Sequence, residues 1–159
     1  MDALTLLKAD HQKVKKLMGE LEKTTERGVK TREELFNKLV GELTVHEKIE
    51  EQIFYPRVRD AVKTKEVKDI VAESFEEHHF VNVVIGEIKD TPFDAEEWAA
   101  KFSVMKENIE HHAFEEEEGE MFPKVQKLFD KDELEQMGTE MEELKMQLQE
   151  ESPQEQPTA

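Results

Sequence analysis

The chain has 159 residues and no cysteine, enough for one domain whose core needs no staples. That excludes disulfides, thiolate metal ligands, iron–sulfur clusters and a cysteine nucleophile, so any metal must be held by nitrogen and oxygen. With 39 acidic against 22 basic residues the formal charge is −17, which repels phosphate backbones and anionic bilayers, so neither nucleic acid nor membrane is expected as a partner.

The opening MDALTLLKADH has polar residues within ten positions and no charged region ahead of an apolar run, so it does not read as a signal peptide. No segment approaches the roughly 20 apolar residues that span a bilayer. The expected compartment is the cytoplasm. Six glycines and five prolines leave long uninterrupted stretches, and apolar residues recur at spacings of three and four, which predicts an all-α chain.

The first helix, about 2 to 24, carries a stripe of Leu4, Leu7, His11, Val14, Met18 and Leu21, whose sole polar member is a histidine. The second, about 31 to 62, starts on a Thr31/Glu34 capping box and lines up Phe36, Leu39, Leu43, His46, Glu50 and Ile53. The third, about 65 to 89, lines up Val71, Ser74, His78, Val81, Ile85 and Ile88, and Asp90-Thr91-Pro92 stops it. The fourth begins at Asp94 as N-cap, with Glu97 three residues on, and runs through Trp98, Phe102, Met105, Ile109 and His112. Short connections predict an up-down-up-down antiparallel four-helix bundle over residues 1–130. A fifth helix over 131–151, with Leu134, Met137, Met141, Leu144 and Leu148, packs on or extends it, and residues 152–159 form a disordered tail.

Each of the four bundle helices therefore places a histidine on its apolar seam. A lone seam histidine is ordinarily a hydrogen-bonded core residue. Four of them with carboxylates must satisfy one another or a cation, because an unpaired buried imidazole costs on the order of 1–3 kcal/mol. His46 and Glu50, four apart, stack on one helix face. On helix four the partner of His112 has two alternatives: spacing alone selects Glu116, whereas aligning Pro123 with Pro56 selects Glu117 and inserts an extra residue, the mark of a π-bulge. At least two of Glu115 to Glu118 must face solvent. His78 is preferred to His79 because residues three, seven and ten beyond it are apolar, and His79 and His111 are expected to face outward or support the site from behind. About six imidazole and carboxylate donors exceed one tetrahedral zinc and suit two metals. A ferritin-like site needs two Glu-x-x-His runs, and the chain offers only Glu76-Glu77-His78-His79. There is no phosphate loop and no nucleophile elbow.

Taken in order, Asp10-His11, HEKIEEQIFYP, EEHH and EHHAFEEEEGEMFP resemble the hemerythrin-like, HHE cation-binding family over residues 2 to 128. The resemblance implies a non-haem di-iron centre, two iron ions with an oxo or hydroxo bridge, held by His11, His46, Glu50, His78, His112 and Glu117. It implies a metal- and oxygen-binding protein rather than a dedicated enzyme, taking up oxygen or nitric oxide for sensing, storage or delivery, as a monomer or small homo-oligomer. The alternative is an enzyme or stress-response protein that consumes peroxide or nitric oxide, or an iron-handling protein. Oxygen-carrying hemerythrins have two histidines four apart on helix three, and here the position four before His78 is Ser74. His79, His111, Glu47 or water is expected to fill that gap. Tyr55 is expected in the core or behind the site, because nine residues of ideal helix point it away from His46.

Overall fold

The computed structural model describes residues 1–151, so the expected tail lies outside the described residues. Helix α1 (Ala3–Glu22) starts where the Asp2 carboxylate accepts the Thr5 backbone N–H at 2.8 Å. The second rod is continuous: α2 (Val29–Ile49), a five-residue π-turn π1 (Glu50–Phe54) and α3 (Tyr55–Ala61). The third is α4 (Lys65–Lys89). The fourth is α5 (Glu96–Glu110), the π-segment π2 (His111–Met121) and α6 (Phe122–Leu128), and α7 (Lys131–Glu151) follows.

Two expected caps are absent. The second rod begins at Gly28 rather than Thr31, and the fourth has Ala95 as N-cap rather than Asp94, neither with a side-chain cap. A tertiary anchor replaces the first: buried Arg32 donates to the Thr24 and Phe93 carbonyls and to Thr24 Oγ1, and its guanidinium lies 4.5 Å from the Trp98 ring. At the second, Ala95 closes a turn onto the Pro92 carbonyl, which postpones the helix by one residue.

The core is two apolar clusters. One joins the start of α1 (Leu4, Leu7) and of α4 (Val67, Val71) to the ends of the second and fourth rods (Phe54, Val58, Phe122, Val125). The other joins the end of α1 (Met18, Leu21) and of α4 (Ile85, Ile88) to the starts of the second and fourth rods (Phe36, Leu39, Trp98, Phe102). Starts meeting ends is the signature of an up-down-up-down antiparallel bundle. Helix α7 adds buried Met137 and Met141 to the first cluster. Residues 10–11, 46–50, 74–78 and 112–117 fall between the clusters, and the buried polar side chains concentrate there. No helix among the described residues is long and apolar enough to cross a membrane.

Candidate metal centre

Both π-segments end just before a proline, at Tyr55-Pro56 and Phe122-Pro123. Proline has no N–H to give the carbonyl four residues back, and its ring crowds that carbonyl, so the ladder there is already broken. The chain slips instead: the Tyr55 N–H donates to Glu50 O and the Phe122 N–H to Glu117 O, each five residues back. One extra residue turns everything beyond it by about 100°. On the fourth rod this gives Glu117, five residues after His112, the direction an α-helix gives to a residue four away. On the second rod it moves the buried face from Ile53, only half-buried, to Phe54 and Tyr55, both fully buried. Tyr55 therefore lies in the core, one of its two expected places, but faces the centre instead of pointing away from His46.

The four histidines form two edge-to-face pairs, His11 with His46 and His78 with His112, each with ring centres 4.9 Å apart. Between the pairs stand two fully buried carboxylates. Glu50 Oε1 lies 3.1 Å from His46 Nε2 and 3.3 Å from His78 Nε2. Glu117 Oε1 lies 3.3 Å from His11 Nε2 and 3.2 Å from His112 Nε2. Each carboxylate thus touches one imidazole of either pair. The Tyr55 hydroxyl donates to Glu117 Oε2 at 2.7 Å and sits 3.3 Å from the Nε2 atoms of both His78 and His112.

The outer ring nitrogens also meet carboxylates. His11 Nδ1 bonds Glu118 at 2.8 Å and His46 Nδ1 bonds Asp10 at 3.0 Å. Glu51 and Glu77 stand 3.7 and 3.4 Å from the Nδ1 atoms of His78 and His112. The bonded carboxylates behind His11 and His46 orient these rings with Nε2 facing inward, the arrangement that supports metal-ligating histidines, whereas the Nδ1 atoms of His78 and His112 stand near carboxylates without a hydrogen bond.

The electrostatics follow from carboxylates packed around imidazoles. Burial alone pushes His46 down, but the charge of Glu50 and the bond to Asp10 reverse this and hold it at about 10. His78, also opposed by burial, is raised to about 9 by Glu50 and Glu51. His112 is raised well above its ordinary value against burial, chiefly by Glu117. Burial pushes Glu117 up, yet His112, Glu50 and His11 hold it well below the usual carboxylate range. Burial and the charges of Glu117 and Glu50 raise the Tyr55 phenol, keeping it a proton donor. Outside the centre, burial and Glu77 lift Glu116 to about 7.

All six residues singled out from the sequence, His11, His46, Glu50, His78, His112 and Glu117, come together here. His11, His46, Glu50 and Glu117 offer one donor each within 4.8 Å of one another, and so do Glu50, His78 and His112. Buried His11 Nε2, both Glu50 oxygens and Glu117 Oε1 have no hydrogen-bond partner. Charged groups with open valences at the middle of a bundle fit a pair of cations. His79 and His111 face solvent, and Glu47 is buried beside His78 and Asn82 rather than among the inner donors. The Ser74 hydroxyl returns to the Ile70 carbonyl, and beside it lies the buried Tyr55 phenol. The sequence held a signal for it: the proline alignment that pairs Glu50 with Glu117 also pairs Tyr55 with Phe122. The outer carboxylates Glu118, Glu51 and Glu77 had no such signal.

Fold and donor set define a four-helix bundle with a buried histidine–carboxylate site for metal cations. The family description Hemerythrin HHE cation binding domain matches residues 2–125, and the chain belongs to that family. A solved hemerythrin HHE cation binding domain-containing protein from Mycobacterium kansasii is similar with a TM-score of 0.83 and 26% identity, over 96% of this chain and 90% of that one. A DNA nickase of Nostoc sp. is 24% identical over 149 residues, 94% of this chain. The chain spans 40% of the length of that curated relative.

Proposed function

We propose that the chain is a non-haem di-iron protein whose metal pair takes up a small diatomic molecule, oxygen or nitric oxide, for sensing, storage or delivery. One observation carries the reading: Glu50 and Glu117 each face one histidine of either pair, so either carboxylate would be in reach of an ion held by each pair. His11 and His46 would hold one ion, and His78 and His112 with Tyr55 the other. An all-nitrogen-and-oxygen donor set of this size suits iron over tetrahedral zinc. Such a pair, when bound, supplies two one-electron redox centres within reach of one small ligand.

The chain's own residues set access. A cavity of about 30 Å³ adjoins the four histidines and is walled by Val14, Met18, Leu43, Val81 and Ile109. It holds little more than one water-sized molecule, and its apolar wall favours a small uncharged ligand. The test is to reduce the iron-loaded protein anaerobically and admit oxygen or nitric oxide. Near two irons per chain and a reversible charge-transfer band are expected, and an unchanged spectrum or a single zinc would remove the reading.

Tyr55 favours a second reading, consumption of peroxide or nitric oxide. A buried phenol bonded to Glu117 keeps a transferable proton inside the centre, which reversible carriage does not require. Peroxide turnover by iron-loaded protein should exceed that of His46→Ala, and equal rates would dismiss catalysis. The nickase's chemistry is not extended to this chain, since a charge of −17 opposes approach to a phosphate backbone.

A further inference from the structure

Helix α7 lies beyond residues 2–125, where the family match ends, yet it reaches the centre. Lys145 Nζ bonds Asp10 Oδ1 at 2.5 Å across 135 residues of sequence, and Asp10 Oδ2 bonds His46 Nδ1 at 3.0 Å. His46 Nε2 then faces Glu50 at 3.1 Å. We propose that Lys145 is a positioning residue for the metal centre, its ammonium fixing the Asp10 carboxylate that orients His46 toward the metal. This rests on the metal-pair reading above.

Three observations separate this contact from an incidental surface pair. Asp10 is buried, and each of its oxygens takes one partner, so its plane is set from both sides. The other outer carboxylates, Glu118, Glu51 and Glu77, are 21–33% exposed, and among the described residues none has a lysine or arginine within ion-pair distance. His46 alone has a cation behind its carboxylate. Finally, α7 is held in place rather than resting on the bundle. Met137 and Met141 are fully buried, Arg57 pairs with Glu140, and a Cβ at Gly138 would stand 2.1 Å from the Met1 carbonyl oxygen. Seven residues are about two turns, so Gly138 and Lys145 share the face that lies along α1.

The experiment compares the full iron-loaded chain with Lys145→Met, Lys145→Arg and Leu148→Ala. Iron release to a ferrous chelator should be about 10-fold faster in Lys145→Met, the low end of what loss of a supporting partner costs in metal affinity, with a shifted charge-transfer band. Lys145→Arg should restore both, and Leu148→Ala should lower the unfolding temperature without moving either. In metal-free protein, NMR should find a slowly exchanging His46 Nδ1–H in wild type and Lys145→Arg but not in Lys145→Met. That resonance reads the relay even if elemental analysis finds no iron, so the two ideas can fail separately. Identical release, band and Nδ1–H exchange in Lys145→Met and wild type would overturn the proposal, as would Leu148→Ala reproducing the Lys145→Met changes.

Discussion

The Nε2 atoms of His78 and His112 lie 3.2 Å apart in the interior, each beside a buried carboxylate and both 3.3 Å from the Tyr55 hydroxyl. Two imidazoles held above their ordinary values cannot both point protons at this spot without repulsion, whereas both could donate their lone pairs to a cation held there. Metal binding is therefore expected to displace protons at pH 7. Calorimetry in buffers of different ionisation enthalpy should show more than one proton released per chain, and affinity should rise with pH.

The pH dependence of metal-free stability has the opposite sign. His46 at about 10 and His78 at about 9 lie above the unfolded value of about 6.5. Their stabilisation is fully present below about 6.5 and is lost as the pH rises through 9 to 10. Glu117, depressed, contributes above the ordinary carboxylate value and loses that contribution as the pH falls through its folded one. Urea titrations should show metal-free protein weakening from pH 7 to 10 while loaded protein does not; parallel curves would contradict this account.

Glu50→Gln and Glu117→Gln should each reduce bound iron from near two per chain to one or less, because each removes a donor shared by both histidine pairs. Glu116→Gln should leave the stoichiometry unchanged, since that carboxyl faces Glu77 and His111 on the outer side. Elemental analysis after desalting decides it.

Tyr55 and Phe122 occupy corresponding places, each closing a π-turn before a proline, and only Tyr55 carries a hydroxyl. Phe122 instead stacks on His11 at 6.1 Å. Tyr55→Phe should leave two irons bound but change the visible spectrum and slow peroxide turnover by about 10-fold or more, the range of a lost proton donor. In metal-free protein it should cost about 1–3 kcal/mol, because Glu117 Oε2 loses its donor.

Arg32→Lys tests the anchor far from the centre. Lysine cannot reproduce the fork onto Thr24 and Phe93 or the stacking on Trp98, so about 2–3 kcal/mol of unfolding free energy should be lost in urea with iron content intact.

The positions of five of the inner donors, His11, His46, Glu50, His78 and His112, were legible because a helix of fixed period assigns each residue a face. Leu7, His11 and Val14, or Val71, His78 and Val81, announce their side without knowledge of the neighbours. The slip before Glu117 was one of two alternatives the sequence left open, Glu117 by the common reference of two prolines and Glu116 by spacing. On the second rod no spacing signalled the change of period: π1 was not anticipated, and Tyr55, expected in the core or behind the site, was pointed away from His46. Thr31 and Asp94 were read as caps from local pattern, but Arg32 and the Pro92 turn set those ends.

What the sequence determined by itself is an all-helical chain with a histidine on each of four seams, because periodicity is a property of one rod. Which carboxylate stands behind which imidazole, and that Lys145 closes onto Asp10, only the tertiary structure decided. Those contacts join groups on different rods, and their pairing is set by how the rods pack, which no spacing along a single helix encodes.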